Sequence, residues 1–206
     1  MSPRRRETET IQVAHCGKPL NLVVLGAVCV LASCSPSWDR SIQTESVYAA
    51  VVAAMVDGQI QLHSDIDGRA VAISDKTVAD HVLDRGPNVP LTRAKLEARL
   101  PAGSRAAIDD YLQRRSIAIP VRDTFRLAVP HEMVSANDWS QIEKVKLLEV
   151  GGLIRLSPVG FDSRGRVALV YAEHICGGLC ATGHFILLSR ESDQWRISKV
   201  ILAVVA

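Results

Sequence analysis

The sequence predicts an α+β domain in which N-terminal helices pack on a C-terminal antiparallel β-meander of about four strands. Three observations predict it. Residues 41–56 carry apolar side chains at helical spacing. From Gly152 onward the pattern changes to consecutive apolar runs separated by short polar turns. The 206-residue chain is 48% hydrophobic, enough for one globular domain with a real core, while aromatics at 4% leave the packing to Ala, Val, Leu and Ile.

The first helix spans Ser41 to Val56, with Val47, Tyr48, Val51, Val52, Met55 and Val56 recurring on it and Gly58 as its C-cap. Ile60 and Leu62, then Ala70 to Ile73, alternate weakly around Asp67-Gly68, which reads as a hairpin turn. Ser74 to Thr77 reads as a strand exit capping a helical turn through His81-Val82-Leu83. Gly86, Pro87 and Pro90 mark a break. A short helix follows from Leu91 or Thr92 to Leu100, with Leu96 and Leu100 on its buried face, and Pro101 ends it. Ser104 is placed to cap a second short helix that buries Ala107, Ile108, Tyr111 and Leu112; Arg114 and Arg115 close it, as the helix dipole prefers. Asp109-Asp110 reads as solvated surface, because adjacent helix positions point apart and make a poor acid/base pair.

Ile117 to Val121 and Phe125 to Val129 read as short or edge strands limited by Pro120 and Pro130. Asn137 or Asp138 is placed to cap a short helix over Trp139 to Val145. The meander then comprises Leu153 to Phe161, Arg166 to His174, His184 to Arg190 and Trp195 to Val204, with helices expected on one face of the sheet. His63 and His81 stand alone, and His131-Glu132 lacks the second histidine that a metalloprotease helix needs.

Residues 1–33 read as an export signal. Arg4, Arg5, Arg6 and Lys18 precede an apolar run of 11 residues, Leu22 to Ala32, whereas a membrane-spanning helix needs ~20. The run ends in Leu31-Ala32-Ser33-Cys34, which resembles the lipobox of bacterial lipoproteins: an aliphatic residue, two small residues and Cys. The resemblance implies cleavage before Cys34, a thioether-linked diacylglycerol on its sulfur and acylation of its new amino group. Several acyl chains anchor stably where one would not. Ser35 rather than Asp follows the cysteine, which by analogy points to the outer membrane, facing the periplasm. Residues 34–40 would then be a lipidated tether and 41–206 a single globular domain. An uncleaved signal anchor or a buried N-terminal helix is the alternative; the polar Glu7 to Thr10 run fits a twin-arginine signal poorly.

The net charge of +2 comes from the leader alone, since the remainder holds 20 basic and 20 acidic side chains. That balance gives no electrostatic reason to expect nucleic acid as a partner. The expected partners are the membrane, through the lipid, and an envelope protein. No pattern calls for a cofactor.

With Cys16 and Cys29 in the leader and Cys34 lipidated, an oxidising compartment leaves two thiols, Cys176 and Cys180. A disulfide between them is the leading reading, closing a loop so small that it contributes about 2 kcal/mol. His174, Cys176, Cys180 and His184 also offer two thiolates and two imidazoles, a donor set suited to zinc or copper, although the spacing is that of no familiar zinc pattern. A redox pair lacks the Cys-x-x-Cys spacing, and a cysteine nucleophile lacks a visible orienting group for its base.

The segment SPVGFDSRGRVALVY, with CGGLCATGHFILLSR and QWRI after it, is similar to the C-terminal segment of a group of uncharacterised bacterial secreted proteins and lipoproteins. About forty residues share the pattern, and Ala181 stands where that group often has glycine. The resemblance implies a sheet with a CG-x-LC hairpin and assigns no catalytic residues. The function expected is that of a non-enzymatic envelope lipoprotein acting as a binding or interaction module. A metal-binding protein built on the His/Cys loop and a hydrolase are the alternatives.

Overall fold

The computed structural model describes residues 38–62, 66, 69–78, 92–135, 151–177 and 180–205. The export signal, Cys34, His63, the Asp67-Gly68 turn, His81, the Arg85 to Pro90 break and the Trp139 to Val145 helix lie outside them.

Helix α1 runs Arg40–Val56. Asp39 caps it, its Oδ1 accepting from Ser41 N at 2.8 Å. Gly58 follows its end with φ +72°, the left-handed conformation a helix terminus uses. Short helices α2 (Arg93–Arg99) and α3 (Arg105–Arg114) come next. Ser104 occupies the N-cap position of α3, but its side chain makes no capping bond. It also ends a 3₁₀ turn, and its hydroxyl donates to Pro101 O at 2.6 Å.

The strands are β1 (Val71–Ser74), β2 (His131–Val134), β3 (Leu153–Leu156), β4 (Gly160–Phe161), β5 (Val167–Gly177), β6 (Cys180–Glu191) and β7 (Gln194–Val205). The α+β class holds, but the expected four-stranded meander is too small. Among the described residues it forms the antiparallel half of a seven-stranded mixed sheet of order β2-β1-β3-β5-β6-β7, with β4 beside β5. The N-terminal half supplies the rest. Val71 aligns with His131, and Ala72 with Leu153, both in parallel register. The Asp67-Gly68 turn itself lies outside the described residues, but Gln61 and Leu62 before it are not strand, and β1 after it pairs with β2 and β3 across long connections. Parallel neighbours need such crossovers, and β1 to β2 carries α2 and α3 on the way. Ile117 to Val121 and Phe125 to Val129 are not strands either. Among the described residues one bridge, Lys76 to Pro120, pairs there, while Val121 and Phe125 are buried in the core.

The run read as one strand from Leu153 to Phe161 is interrupted at Ser157-Pro158. Ser157 N donates to Tyr171 O at 2.8 Å. Tyr171 N donates to Ser157 Oγ at 2.8 Å instead of to the carbonyl, which accepts from the Tyr48 hydroxyl at 3.0 Å. The hydroxyl thus carries the ladder through a proline that has no N–H to give.

Helices lie against both faces of this sheet, not one. Val47, Val51, Val52 and Met55 of α1 share a core with Val71, Ile73, Ile154, Val170, Ile186 and Leu188. Leu96, Ala107, Ile108 and Tyr111 of α2 and α3 share a second core with Leu169, Tyr171, Phe185, Leu187 and Ile201. Successive residues of β5 and β6 alternate between the two cores, so both runs read as unbroken hydrophobic stretches, as strands buried on both faces do.

Asp109-Asp110 is not solvated surface. Asp109 is ion-paired with Arg93 of α2. Asp110 accepts from Arg40 Nη1 at 2.8 Å, Arg114 Nε at 3.0 Å and Phe161 N at 2.8 Å, joining α1, α3 and β4. Burial alone would raise its pKa, but the bonds from Arg40, Phe161 and Arg114 outweigh that and hold it below the ordinary carboxylate value.

Candidate functional site

Strands β5 and β6 form a long antiparallel hairpin, in register from Val167↔Ser189 to Ile175↔Ala181. The register shifts between Ile175 and Gly177, and there Cys176 and Cys180 form a disulfide with Cα atoms 5.1 Å apart. That separation lies within the ordinary range for a bridge. The bond takes up both sulfurs, so neither is a thiolate ligand or a nucleophile in this state.

His174 and His184 share one face of the hairpin, because His174 aligns with Thr182 and His184 with Ala172. His174 is fully buried, and its Nε2 lies 2.6 Å from Gly151 O. A carbonyl only accepts, so this nitrogen carries the proton and Nδ1 is left with a lone pair and no partner among the described residues. Burial lowers the pKa of both imidazoles, and for His174 this outweighs the Gly151 bond. Both rings are neutral at pH 7. Among the described residues no three His, Cys, Asp or Glu side chains converge as metal ligands. The set of His174, Cys176, Cys180 and His184 is thus not assembled: two members are bonded to each other and a third is bonded to a backbone carbonyl.

The opposite face of the same strands carries a different buried group. Glu173 is ion-paired with Arg155 and accepts from the Tyr171 hydroxyl at 3.2 Å. Burial raises the Glu173 pKa against the pull of Arg155, and burial raises Tyr171 as well. This group lies on the α2/α3 side, packed away from the histidines.

The cavity at this end of the sheet is a cleft of about 440 Å³ lined by Gln59, Gln61, Thr182, His184, Leu202 and Val205, with Ile60, Leu62 and Val200 completing it. Strands β6 and β7 supply its floor, and the chain leaving α1 supplies a wall. Thr182 is 5% exposed and His184 2% exposed, yet among the described residues Thr182 Oγ1 and His184 Nδ1 have no hydrogen-bond partner. Leu202 and Val205 are about half exposed beside them. The sequence singled out His184 for metal chemistry. It gave no sign of Gln59, Gln61 or Thr182, which reach the cleft only because residues 59–62 fold back over β6 and β7.

A second cavity of about 460 Å³ runs along α1, between Arg40, Glu45, Tyr48 and Arg122. Its charges are already matched, Arg40 with Asp110 and Glu45 with Arg122.

At the far end of β5, the Trp38 ring meets Phe161 edge-on at 5.3 Å and lies directly against Gly165, where any β-carbon would strike the indole. The Arg40 guanidinium sits 5.3 Å from the Trp38 ring centre and 5.2 Å from that of Phe161.

The chain matches no protein-family model, no curated protein and no solved structure.

Proposed function

We propose that this is a lipid-anchored protein of the cell envelope, exported by residues 1–33, held through Cys34 in the outer membrane and facing the periplasm, where its domain acts as a non-enzymatic binding or interaction module. The observation that carries the reading is the pairing of a lipobox, Leu31 to Cys34, with a disulfide between the two remaining cysteines, Cys176 and Cys180. A disulfide belongs to an oxidising compartment, and a lipobox leads to one. The similarity of the C-terminal segment to bacterial secreted proteins and lipoproteins supports the same address.

The tether is short. Three residues separate Cys34 from Trp38, so the chain between them spans at most about 14 Å. Trp38 is locked against Phe161 and Gly165 at the start of β5, whose 11 residues extend about 33 Å to the disulfide. An anchored domain would thus hold its Trp38 end near the bilayer and offer the cleft and the disulfide hairpin to the periplasm.

Intact mass of the natively expressed protein, with and without reduction and alkylation, tests this. The expected mass lacks residues 1–33, includes acyl chains on Cys34, and gains two alkyl groups only after reduction. A mass that retains the leader overturns the anchor, and with it the compartment.

A further inference from the structure

Thr182 and His184 set a chemical requirement that no described residue meets. A buried polar atom without a partner costs roughly 1–3 kcal/mol. Thr182 Oγ1 and His184 Nδ1 are two such atoms, two residues apart on one face of β6, and both residues line the cleft of about 440 Å³. Same-face neighbours on a strand lie about 7 Å apart, within reach of one small molecule. Cavities that hold small ligands run from about 300 to 1,000 Å³, and this one falls in that range, its lining divided about evenly between polar and apolar surface. Among the described residues, three of the five exposed large hydrophobics lie elsewhere; Leu202 and Val205 form the apolar lip here.

The charge of the ligand follows from the lining. Among the described residues no acidic or basic side chain lines the cleft, and the His184 ring is neutral. An ion entering it would lose hydration and meet no counter-charge. A neutral group that both donates and accepts fits. An amide does so, its N–H donating to a ring nitrogen and its carbonyl accepting from a threonine hydroxyl, while an aliphatic body covers Leu202 and Val205.

We infer that the cleft formed by Gln59, Gln61, Thr182, His184, Leu202 and Val205 is a binding site for a neutral, amide-bearing aliphatic ligand, such as a short peptide segment. The site deepens the binding part of the function proposed above and is independent of the anchor.

Photoaffinity labelling tests it. The full-length protein, in the preparation whose intact mass reports the anchor, is irradiated with the N-acetyl amide of photo-leucine, a leucine bearing a diazirine, and the label is mapped by peptide mass spectrometry. Labelling is expected on peptides spanning 59–62, 182–184 or 200–205, saturable and competed by N-acetyl-leucinamide. The corresponding free carboxylate should label at least about tenfold less, the equivalent of about 1.4 kcal/mol in affinity. Thr182→Val and His184→Phe should each abolish the competed fraction. Because both sites are buried, Leu202→Lys serves as the exposed variant, and it should cut labelling without altering the melting temperature. Labelling that is not competed, that survives all three variants, or that is equal for amide and carboxylate overturns the site. Label absent from the cleft on a protein of the expected lipidated mass overturns the site alone, whereas a retained leader with competed labelling overturns the anchor alone.

Discussion

Asp110 is the carboxylate on which three elements converge, and replacing it should loosen them together. Its side chain is 20% exposed; Arg40 is 31% and Arg114 41% exposed. The Arg114 contact is a surface i,i+4 pair worth about 0.3–0.5 kcal/mol. The Arg40 contact is better shielded, and the Phe161 N–H contact is a hydrogen bond to a charged acceptor; bonds of that kind contribute ~1.5–3 kcal/mol at most when fully buried. Discounted for exposure, Asp110→Ala should destabilise the protein by about 2–4 kcal/mol, since it strands the Phe161 N–H and the Arg40 guanidinium together. Asp110→Asn keeps an acceptor but loses the charge, and should cost about 1–2 kcal/mol. Urea unfolding at pH 7 measures both. The pH dependence is the sharper check. A carboxylate with a depressed folded pKa contributes stability that is present above its unfolded value, ~3.9, and lost as pH falls through the folded one. The penalty of Asp110→Asn should therefore shrink in acid. A penalty unchanged between pH 7 and pH 3, or one below about 0.5 kcal/mol at pH 7, would refute the role assigned to Asp110.

The depressed pKa values of His174 and His184 mean that the unfolded chain binds more protons below about pH 6.5, so these rings take stability away as pH falls from there. Glu173, raised by burial, acts with the opposite sign, its contribution present at low pH and lost as pH rises through its folded value. His184→Asn should flatten the stability profile between pH 7 and 5; an unchanged slope in urea titrations would contradict the burial of that ring. Cys176→Ser/Cys180→Ser should lower stability by about 2 kcal/mol at most, since the loop closed is only four residues in sequence separation. The loss should appear in hydrogen exchange as faster amides confined to the end of the β5/β6 hairpin, and protection lost uniformly along β5 would show that the bond holds more than its turn. Gly152, at φ +112°, faces the His174 ring, and an added β-carbon would also meet Ile175 O at 2.8 Å. Gly152→Ala should cost more than about 2 kcal/mol, and a melting temperature within about 1 °C of the parent would count against this packing.

The C-terminal strands were legible because their signal is local. Residues 153–161, 166–174, 184–190 and 195–204 are apolar runs ended by turn residues, and each falls within β3 to β7 or their direct continuation. The two-sided burial was written in the same runs: ALVY and FILL show no alternation, which a sheet covered on one face would require. What escaped detection depends on long-range pairing. Strand β1 is four residues long, and its partners lie some sixty and eighty residues away, at His131 and Leu153. Strand β2 reads HEMV, with a charge at its second position and no periodicity to mark it. Asp110 was misread because its role depends on Phe161 and Arg40, neither of them near it in sequence. The cysteine pair was legible from counting cysteines, and the cleft beside it was not, because an unpartnered hydroxyl has no sequence signature.

Trp38 gives the domain a mechanical entry point. In a chain held at Cys34, any pull reaches the fold there first, where the indole is wedged over Gly165 and against Phe161. The load then divides between the β4–β5 turn and, through Arg40 and Asp110, helix α3. It arrives at the opposite end of β5 from the disulfide, so the hairpin lies outside the path of first strain. A tug on the leash would have to break the Trp38 and Asp110 contacts before the floor of the cleft felt it.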